Sequence, residues 1–290
     1  MKILITGANG MLGRSVQQVF SLKHELIATD SIELDIRNIK RVMAFASQKP
    51  NLILHLAAET DHFKAEFDPS DCYFTNHTGT MNMVELARLL DIPIVYISTG
   101  GIFDGSKESY TEEDKPTPLN HYGRSKYYGE LAVQSYEKHY IIRNGWAMGG
   151  GLNIDKKFIN KVFKQIQAGK TTVYGITDVF GNPTHTLDFA KTVHTIIDEE
   201  EPYGIYNVAG KGKASRFEVL EAFVDALGLR NKVYIVPVTD KSFRELFPGQ
   251  VAYTKSEVLS IDKIERNGLS DLRDWRESLI DYAQEFKKIL

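Results

Sequence analysis

Tyr122 and Lys126 are the pair of side chains best suited to chemistry. They occupy positions i and i+4, so on a helix they share one face. A lysine ammonium beside a phenol favours the phenolate and lowers the tyrosine pKa. Such a tyrosine can give a proton to a carbonyl oxygen or take one from an alcohol. Because the chain has 14 tyrosines, about one Tyr-x-x-x-Lys match is expected by chance, and the surrounding elements must support the pair.

A second hydroxyl stands upstream, in Ser98-Thr99. These residues end an apolar run, Pro93–Ser98, which predicts the fourth strand of a sheet. Ligands of a doubly wound sheet bind at the carboxyl ends of its strands. Tyr122 begins the helix predicted after this strand, so Thr99 and Tyr122 are expected at one edge of the sheet.

The first residues of the chain supply a phosphate-binding pattern, GxxGxxG, at Gly7, Gly10 and Gly13. An apolar strand, Ile3–Thr6, precedes it, and apolar residues at helical spacing follow it. In such a turn the backbone N–H groups of the helix N-terminus bind the pyrophosphate of a dinucleotide. A side chain at Gly7 or Gly10 would keep phosphate away, and Gly13 lets the helix lie close to the sheet. The alternative is a glycine-rich turn without a ligand.

Asp30 ends the second predicted strand, Glu25–Thr29, where a carboxylate can accept hydrogen bonds from the adenosine ribose. The alternative is a loop aspartate at a turn. A carboxylate there repels a 2′-phosphate and favours NAD. Arg14 and Arg37 could bind that phosphate, which keeps NADP open.

Three further residues could serve equally well in a cofactor site or in a structural role. Asp35 could hydrogen-bond the adenine amino group or cap the next helix. Ala57 and Ala58 follow the third strand, Asn51–Ala57, where small side chains allow either close approach of the cofactor or tight packing.

Strand and helix patterns alternate through the first half of the chain and predict βαβ units. The fold class is therefore α/β, a Rossmann-type doubly wound parallel sheet with helices on both faces. The pattern changes near Gly149–Gly151. We expect residues 1–150 to form the dinucleotide-binding domain and residues 151–290 to form mainly a smaller α/β substrate domain. A helix at about 186–199 is expected to pack back on the first domain.

The composition excludes several classes of protein. Lys and Arg number 35 against 38 Asp and Glu, so the net charge is −3. The chain has no excess of positive charge for binding nucleic acid or an anionic membrane. No window reaches the length of a membrane span. The single cysteine, Cys72, cannot form an internal disulfide, which fits a reducing cytoplasm. The eight histidines show no metal-ligand spacing, so we expect no catalytic metal.

Taken together, the glycine turn, Asp30, Ala57-Ala58, Ser98-Thr99 and Tyr-x-x-x-Lys resemble the extended short-chain dehydrogenase/reductases. Further runs narrow the resemblance to the dTDP-4-dehydrorhamnose reductase family; they are Leu34-Asp35-Ile36, Ala57-Ala58-Glu59-Thr60, Phe103-Asp104-Gly105, Pro118–Gly123, Arg143 with Trp146, and Val179–Thr184. The resemblance covers nearly the whole chain and is weak after about residue 230.

The resemblance implies roles for individual residues. Tyr122 would donate the proton to the sugar C4 oxygen, Lys126 would tune it and bind the nicotinamide ribose, and Thr99 would hydrogen-bond the substrate carbonyl. Thr60 and Trp146 would lie near the sugar, although Trp146 could equally be a core aromatic. The residues implied to line the cofactor are Gly7, Gly10, Met11, Leu12, Gly13, Asp30, Asp35, Ile36, Ala57, Ala58, Asn76, Tyr122 and Lys126.

The chain departs from the family at the sugar end. Gly100-Gly101 stands where the family usually has Asp-Tyr, so an acidic and an aromatic side chain beside Thr99 are missing. Asp61-His62-Phe63 replaces Ala-Val-Asp, and Pro248-Gly249-Gln250 offers no counterpart of a late Arg-Pro. These changes leave open which sugar and which nucleotide the substrate contains.

The resemblance therefore implies a reductase of the C4 keto group of a nucleotide-linked 6-deoxy sugar, using NADPH or NADH, in nucleotide-sugar and polysaccharide biosynthesis. Two alternatives remain. One is a sugar-nucleotide epimerase or dehydratase on the same scaffold. The other is a non-catalytic NAD(P)-binding regulatory subunit. A homodimer is left open.

Overall fold

A computed structural model describes all residues, 1–290. The fold is built around a six-stranded parallel sheet. The strands are β1 (Lys2–Thr6), β2 (Glu25–Thr29), β3 (Leu52–His55), β4 (Ile94–Thr99), β5 (His139–Asn144), β6 (Trp146–Met148), β7 (Thr172–Ile176), β8 (Phe180–Gly181), β9 (Pro183–His185), β10 (Gly204–Val208), β11 (Ala214–Ser215) and β12 (Tyr234–Val238). The large sheet has the order β10-β5-β4-β3-β1-β2. The other strands form three two-stranded pairs, β11-β8, β12-β7 and β6-β9.

Helices cover both faces of the sheet and complete the second half of the chain. They are α1 (Met11–Phe20), α2 (Ile39–Ala44), α3 (His62–Phe67), α4 (Ser70–Tyr73), α5 (Thr80–Leu90), α6 (His121–Gln134), α7 (Phe158–Gln167), α8 (Thr186–Asp198), α9 (Arg216–Ala226), α10 (Asp240–Leu246), α11 (Asp262–Arg266) and α12 (Trp275–Lys287). A π-helical turn, Phe74–Gly79, joins α4 to α5. None of the helices has both the length and the apolar character needed to cross a bilayer.

The central strands are apolar on both faces because helices bury both faces. Ile3, Leu4 and Ile5 of β1 are all fully buried. Ile3 and Ile5 belong to one hydrophobic cluster and Leu4 to another, on opposite sides of the sheet. This alternation is the direct consequence of side chains pointing to opposite faces of a strand. The predicted Rossmann-type α/β fold is confirmed.

The strand order reverses between β1 and β3. The chain leaves β1 for β2 on one side and then crosses to β3 on the other. Such a switch point opens a crevice at the carboxyl ends of the strands. The glycine turn after β1 and Ala57 after β3 both lie at this crevice, which is where the sequence predicted a dinucleotide.

The second half of the chain returns to the large sheet twice. β10 pairs in parallel with β5 and becomes the edge strand. α8 packs on α1, and the Ser15 hydroxyl donates to Thr186 Oγ1 at 2.7 Å. A separate hydrophobic cluster, which includes Phe163, Phe223 and Trp275, lies within the part that follows β6. The division into two domains at residue 150 stays a prediction.

Two segments differ from what their sequence predicts. The stretch up to about Leu259 is polar and predicts loop, but it contains α10, which begins after the N-cap Thr239. The apolar spacing from about Ser70 to Leu90 predicts one long helix, but the π-helical turn interrupts it, and such turns occur preferentially at functional sites.

Candidate active site

The glycine turn lies against the chain that leaves β3. Gly7 has a φ of +68°, and a Cβ built on it would stand 2.8 Å from the backbone of Ala57. A Cβ on Gly13 would stand 2.4 Å from the carbonyl oxygen of Gly7. Only glycine allows these approaches. Gly10 is less constrained, because the only near contact of a Cβ there would be the Gly7 carbonyl oxygen, at 3.3 Å.

The N-terminus of α1 is open to an anion. Gly10 is its N-cap, no side chain caps the helix, and the first turn holds no acidic residue. The backbone N–H groups of Met11 and Leu12 at this end therefore have no side-chain acceptor, and the helix dipole adds positive potential. These features fit the pyrophosphate of a dinucleotide.

Asp30 lies beside this turn. The backbone N–H of Asn9 donates to Asp30 Oδ2 at 3.2 Å, and the N–H of Ser31 donates to Oδ1 at 2.7 Å. These two hydrogen bonds fix the carboxylate at the end of β2, beside the glycine turn. The role of Asp30 at a ribose stays a prediction.

Asp35 does not cap the next helix, so that alternative was wrong; the N-cap of α2 is Asn38. Arg37 instead donates two hydrogen bonds to the Asp35 carboxylate, each at 2.9 Å, and these hold the pKa of Asp35 below its usual range. Ile36 is buried against Gly79, where a Cβ would meet Ile36 Cδ1 at 2.7 Å.

Asn76 fixes the loop after β3. Its Oδ1 accepts from the N–H of Glu59 at 2.8 Å, and its Nδ2 donates to the Glu59 carbonyl at 3.0 Å and to Ser125 Oγ at 2.9 Å. These bonds occupy the side-chain amide, so Asn76 supports the shape of the crevice from behind. Ala57 and Ala58 are half-buried at the mouth of the same loop, and the N–H of Ala57 donates to Thr6 Oγ1 at 3.2 Å.

Tyr122 is buried at the start of α6. Its surroundings raise its pKa, whereas the sequence predicted a lowered pKa. Burial and the nearby carboxyl of Glu257 raise the pKa, while the Thr99 side chain lowers it. The imidazole of His62 covers the phenol ring, with ring centroids 4.2 Å apart. Before a cofactor binds, the phenol is therefore held in its protonated form.

Lys126 does share a face of α6 with Tyr122, but its ammonium is held elsewhere. Its Nζ donates to the carbonyl oxygen of Ile97 at 2.7 Å and lies 4.2 Å from the centre of the Tyr96 ring. Burial lowers the pKa of Lys126 to about 7. Lys126 is not among the groups that shift the pKa of Tyr122, so the lowering expected from this lysine is absent.

Thr99 ends β4 and turns its side chain into the crevice. The N–H of Gly101 donates to Thr99 Oγ1 at 3.1 Å, which fixes the hydroxyl oxygen. Gly100 is buried, and a Cβ on it would stand 2.5 Å from the carbonyl oxygen of Glu257. The backbone of a distant segment thus occupies the space beside Thr99.

Trp146 and Thr60 mark the other end of the crevice. Trp146 is half-buried, its Nε1 donates to Glu257 Oε2 at 3.0 Å, and the Arg216 guanidinium lies 4.8 Å from its ring. Thr60 is exposed and accepts a hydrogen bond from Lys157 Nζ at 3.4 Å. Trp146 also packs against the hydrophobic cluster of the second half of the chain, so its role as a core aromatic stays open beside a role at the sugar.

Four residues of this site were missed from the sequence: His62, Lys157, Arg216 and Glu257. They come from four separate segments, and no spacing relates them. Burial, Lys157 and Arg216 lower the pKa of His62 to about 4, so this imidazole is neutral at neutral pH. The only available signal was the departure from the family pattern at residues 61–63.

One group of side chains has the residue types of a metal site. Ligand atoms of His24, His194 and Asp198 lie within 4.8 Å of one another, at the far ends of α1 and α8. The Asp198 carboxylate is paired with Lys23 at 2.8 Å. This group is remote from the crevice, and the absence of a catalytic metal stays a prediction.

A parallel α/β sheet with a phosphate-binding turn after β1, and with Thr99, Tyr122 and Lys126 at its carboxyl edge, defines an oxidoreductase of the extended short-chain dehydrogenase/reductase class. The family model described as "RmlD substrate binding domain" matches residues 1–288. The chain belongs to the dTDP-4-dehydrorhamnose reductase family.

Three relatives illustrate this membership. A dTDP-4-dehydrorhamnose reductase of Mycolicibacterium smegmatis is 31% identical over 284 residues, which are 97% of this chain and 84% of that protein. A crystal structure of such a reductase from Clostridium acetobutylicum is 35% identical, with a TM-score of 0.89 and coverage of 98% and 99% of the two chains. The Bacillus anthracis enzyme, solved in complex with NADP, is 29% identical, with the same TM-score of 0.89 and the same coverage.

Proposed function

We propose that this chain reduces the C4 keto group of a nucleotide-linked 6-deoxy sugar with NADPH or NADH, in nucleotide-sugar and polysaccharide biosynthesis. The observation that carries the proposal is the convergence of Thr99 and a buried, protonated Tyr122 beside an open helix N-terminus. A phosphate site next to a proton donor is the arrangement that hydride transfer to a carbonyl needs.

The dinucleotide fits the turn between β1 and α1. A Cβ at Gly7 would fill this cradle, and the N–H groups of the first helical turn face it without a side-chain acceptor. When bound there, reduced nicotinamide supplies the hydride. Asp30 would accept hydrogen bonds from the adenosine ribose. Because the Bacillus anthracis relative was solved in complex with NADP, we propose NADPH as well as NADH as a cofactor.

Tyr122 is the proton donor in this proposal. Burial raises its pKa, so the phenol carries its proton when the sugar arrives. Thr99 Oγ1 already accepts one backbone N–H, and its own hydroxyl proton, which faces the Tyr122 oxygen, would turn to the substrate carbonyl. Lys126, whose burial lowers its pKa to about 7, would move from the Ile97 carbonyl to the nicotinamide ribose and favour the phenolate that forms.

Residues after 150 would supply most of the substrate half. Lys157 and Arg216 have no carboxylate within ion-pair distance and lie near Trp146 and Thr60. Two cations that make no close ion pair suit the diphosphate of a nucleotide sugar, and the Glu257 carboxyl is the acidic group that faces them. Trp146 would then pack against the sugar between these cations and Tyr122.

A direct test is a screen of nucleotide-linked 4-keto sugars with NADH and NADPH. The loss of reduced-nicotinamide absorbance is followed with each pair. We expect steady oxidation of at least one cofactor with a 4-keto-6-deoxy sugar nucleotide and none with the free sugar. Cofactor binding without oxidation, over the whole panel, would instead support the regulatory-subunit alternative.

A homodimer is the assembly we propose. Met81, Tyr128 and Leu131 are exposed and line a groove between the outer faces of α5 and α6. A symmetric dimer buries such a face against its own copy. Sedimentation should show a dimer that Leu131→Glu converts to a monomer. A monomeric wild-type chain would refute the assembly.

A further inference from the structure

Glu257 brings a carboxyl group into the crevice from a segment far from the residues discussed above. Its Oε2 accepts the hydrogen bond from Trp146 Nε1 at 3.0 Å. Its Oε1 has no hydrogen-bond partner in the structure. This free oxygen lies 3.7 Å from the point where a side chain at Gly101 would begin, and Thr99 Oγ1 lies 3.5 Å from the same point.

The backbone around Glu257 is firmly held. The N–H of Glu257 donates to the Phe180 carbonyl at 2.9 Å, and the N–H of Leu259 donates to Asn182 Oδ1 at 2.8 Å. The Glu257 carbonyl oxygen fills the space beside Gly100, where a Cβ would approach it to 2.5 Å. The two glycines after Thr99 therefore make room for this segment, and the carboxyl enters through the gap.

Charges on other elements surround the carboxyl. Arg216 and Lys157 both face it and favour its ionised form, while burial raises its pKa. In turn its charge raises the pKa of Tyr122. The carboxyl is therefore near the phenol, yet its hydrogen bonds within the protein use only one of its two oxygens.

We propose that Glu257 is a specificity-determining residue that binds the sugar hydroxyl on the ring carbon next to the keto carbon. The inference rests on the proposed function. Tyr122 and Thr99 take the keto oxygen, so the group that lies beside it on the sugar is what Oε1 can reach. A carboxyl group in either protonation state can hydrogen-bond a hydroxyl, and one that the bound sugar shields from water selects against a sugar that leaves it unpaired.

The test compares two substrates, a 4-keto sugar nucleotide and its analogue that lacks the neighbouring hydroxyl. Glu257→Ala should lower kcat/KM for the hydroxylated substrate about 10- to 100-fold, mainly through KM. The same variant should change kcat/KM for the deoxy analogue less than about threefold, because the lost hydrogen bond is not made there. Cofactor affinity, measured by calorimetry, should stay within about twofold of the wild type and reports that the crevice is intact.

Two further variants secure the comparison. Glu257→Gln keeps the shape of the side chain and the acceptor for Trp146, so it replaces the alanine variant if that variant fails to fold. It should lower kcat/KM for the hydroxylated substrate roughly three- to tenfold and again spare the deoxy analogue. Glu277→Gln removes an exposed carboxylate on α12 and should leave both substrates unchanged. Equal losses on the two substrates, or no loss on either, would overturn the role of Glu257.

The wild type separates this result from the proposed function. If the wild-type chain reduces the 4-keto sugar nucleotide and Glu257 variants do not discriminate the two substrates, only the present inference fails. If the wild type neither reduces nor binds any sugar nucleotide in calorimetry, the proposed function fails and this inference fails with it.

Discussion

The two ends of the crevice are built in different ways. The end proposed for the cofactor is made by backbone from one short stretch, Gly7–Gly13, and by the carboxylate that follows the next strand, Asp30. The sugar end is made by side chains from segments that the fold alone brings together, among them Thr99, Trp146 and Glu257. A chain can therefore keep its cofactor while its sugar pocket changes.

The difference also separates stability from chemistry. At the cofactor end the constraints are steric, since a Cβ on Gly13 would stand 2.4 Å from backbone. At the sugar end they are electrostatic, since Tyr122 and Lys126 are buried, Glu257 is half-buried, and all three have shifted pKa values. Substitutions at the cofactor end should therefore weaken cofactor binding or the fold, whereas substitutions at the sugar end should lower turnover.

Tyr122→Phe should have the largest effect on turnover. The change removes the ionisable hydroxyl and keeps the ring that packs against His62. General acid catalysis contributes about 10²–10⁴-fold, so kcat should fall by that factor while cofactor affinity hardly changes. Tyr234→Phe, at an exposed position, is the matched control. A folded Tyr122→Phe enzyme with wild-type kcat would show that the proton comes from another group.

Gly10→Val should abolish cofactor binding and leave the fold intact. The nearest contact of a Cβ at this position is 3.3 Å, so the chain can accommodate it, but the side chain would cover the helix N–H groups. Loss of two such charge-assisted bonds implies about 100-fold weaker binding or more. Calorimetry with NADH and NADPH measures it.

The control for this variant is Gly13→Ala. Its Cβ would overlap backbone, so we expect it to destabilise the fold by about 3 kcal/mol. Unchanged cofactor affinity in a folded Gly10→Val protein would exclude the turn as the pyrophosphate site.

Thr99→Val should cost less than the tyrosine change. It removes one hydrogen bond to the carbonyl, worth about 1.5–3 kcal/mol when charge develops, or roughly 10- to 150-fold in kcat/KM. The valine keeps the shape of the side chain but also removes the acceptor of the Gly101 N–H. Steady-state kinetics on the 4-keto sugar nucleotide checks it, and a loss smaller than threefold would remove Thr99 from the reaction.

Asp30→Ala should shift the choice of cofactor modestly. A carboxylate within about 4 Å of a 2′-phosphate costs on the order of 1 kcal/mol, so the NADPH/NADH affinity ratio should rise about fivefold. Glu25→Ala, at the opposite end of the same strand, should leave the ratio unchanged. If both variants behave alike, Asp30 does not lie at the ribose.

Lys126→Met should reveal the cost of burying an ammonium. Burial lowers the folded-state pKa of Lys126 to about 7, while the unfolded lysine titrates near 10.4. Between about pH 7 and pH 10 the unfolded chain binds more protons, so wild-type stability gains from rising pH in this window. The methionine variant lacks this gain, and its stability relative to wild type should fall from pH 7 to pH 10. Urea denaturation of the cofactor-free proteins at both values measures the difference.

The cofactor end could be predicted from the sequence because its parts are local. Strand, glycine turn and helix follow one another within residues 2–20, and Asp30 is placed by the next strand. The sheet followed from the alternation of elements. The edge strand β10 was harder to assign, because a five-residue strand after a long insertion carries no sign of the sheet that it joins.

The sugar end could be predicted only in outline. Thr99 and Tyr122 were identified from strand and helix patterns, and Trp146 was named from the resemblance. Glu257 and Arg216 meet them through long-range folding that no spacing records. The direction of the Tyr122 pKa was also wrong from sequence. Helical spacing predicts a shared face, but it does not say that the Ile97 carbonyl holds the Lys126 ammonium.

The most direct test of the central claim follows the hydride itself. The wild-type chain is incubated with a 4-keto-6-deoxy sugar nucleotide and NADPH or NADH deuterated at the transferable position of the nicotinamide, and the sugar product is examined by NMR. The account predicts one deuterium at C4 of the sugar for each cofactor oxidised. A product without deuterium, formed while the cofactor stays reduced, would contradict it and point to an epimerase or dehydratase that recycles its cofactor.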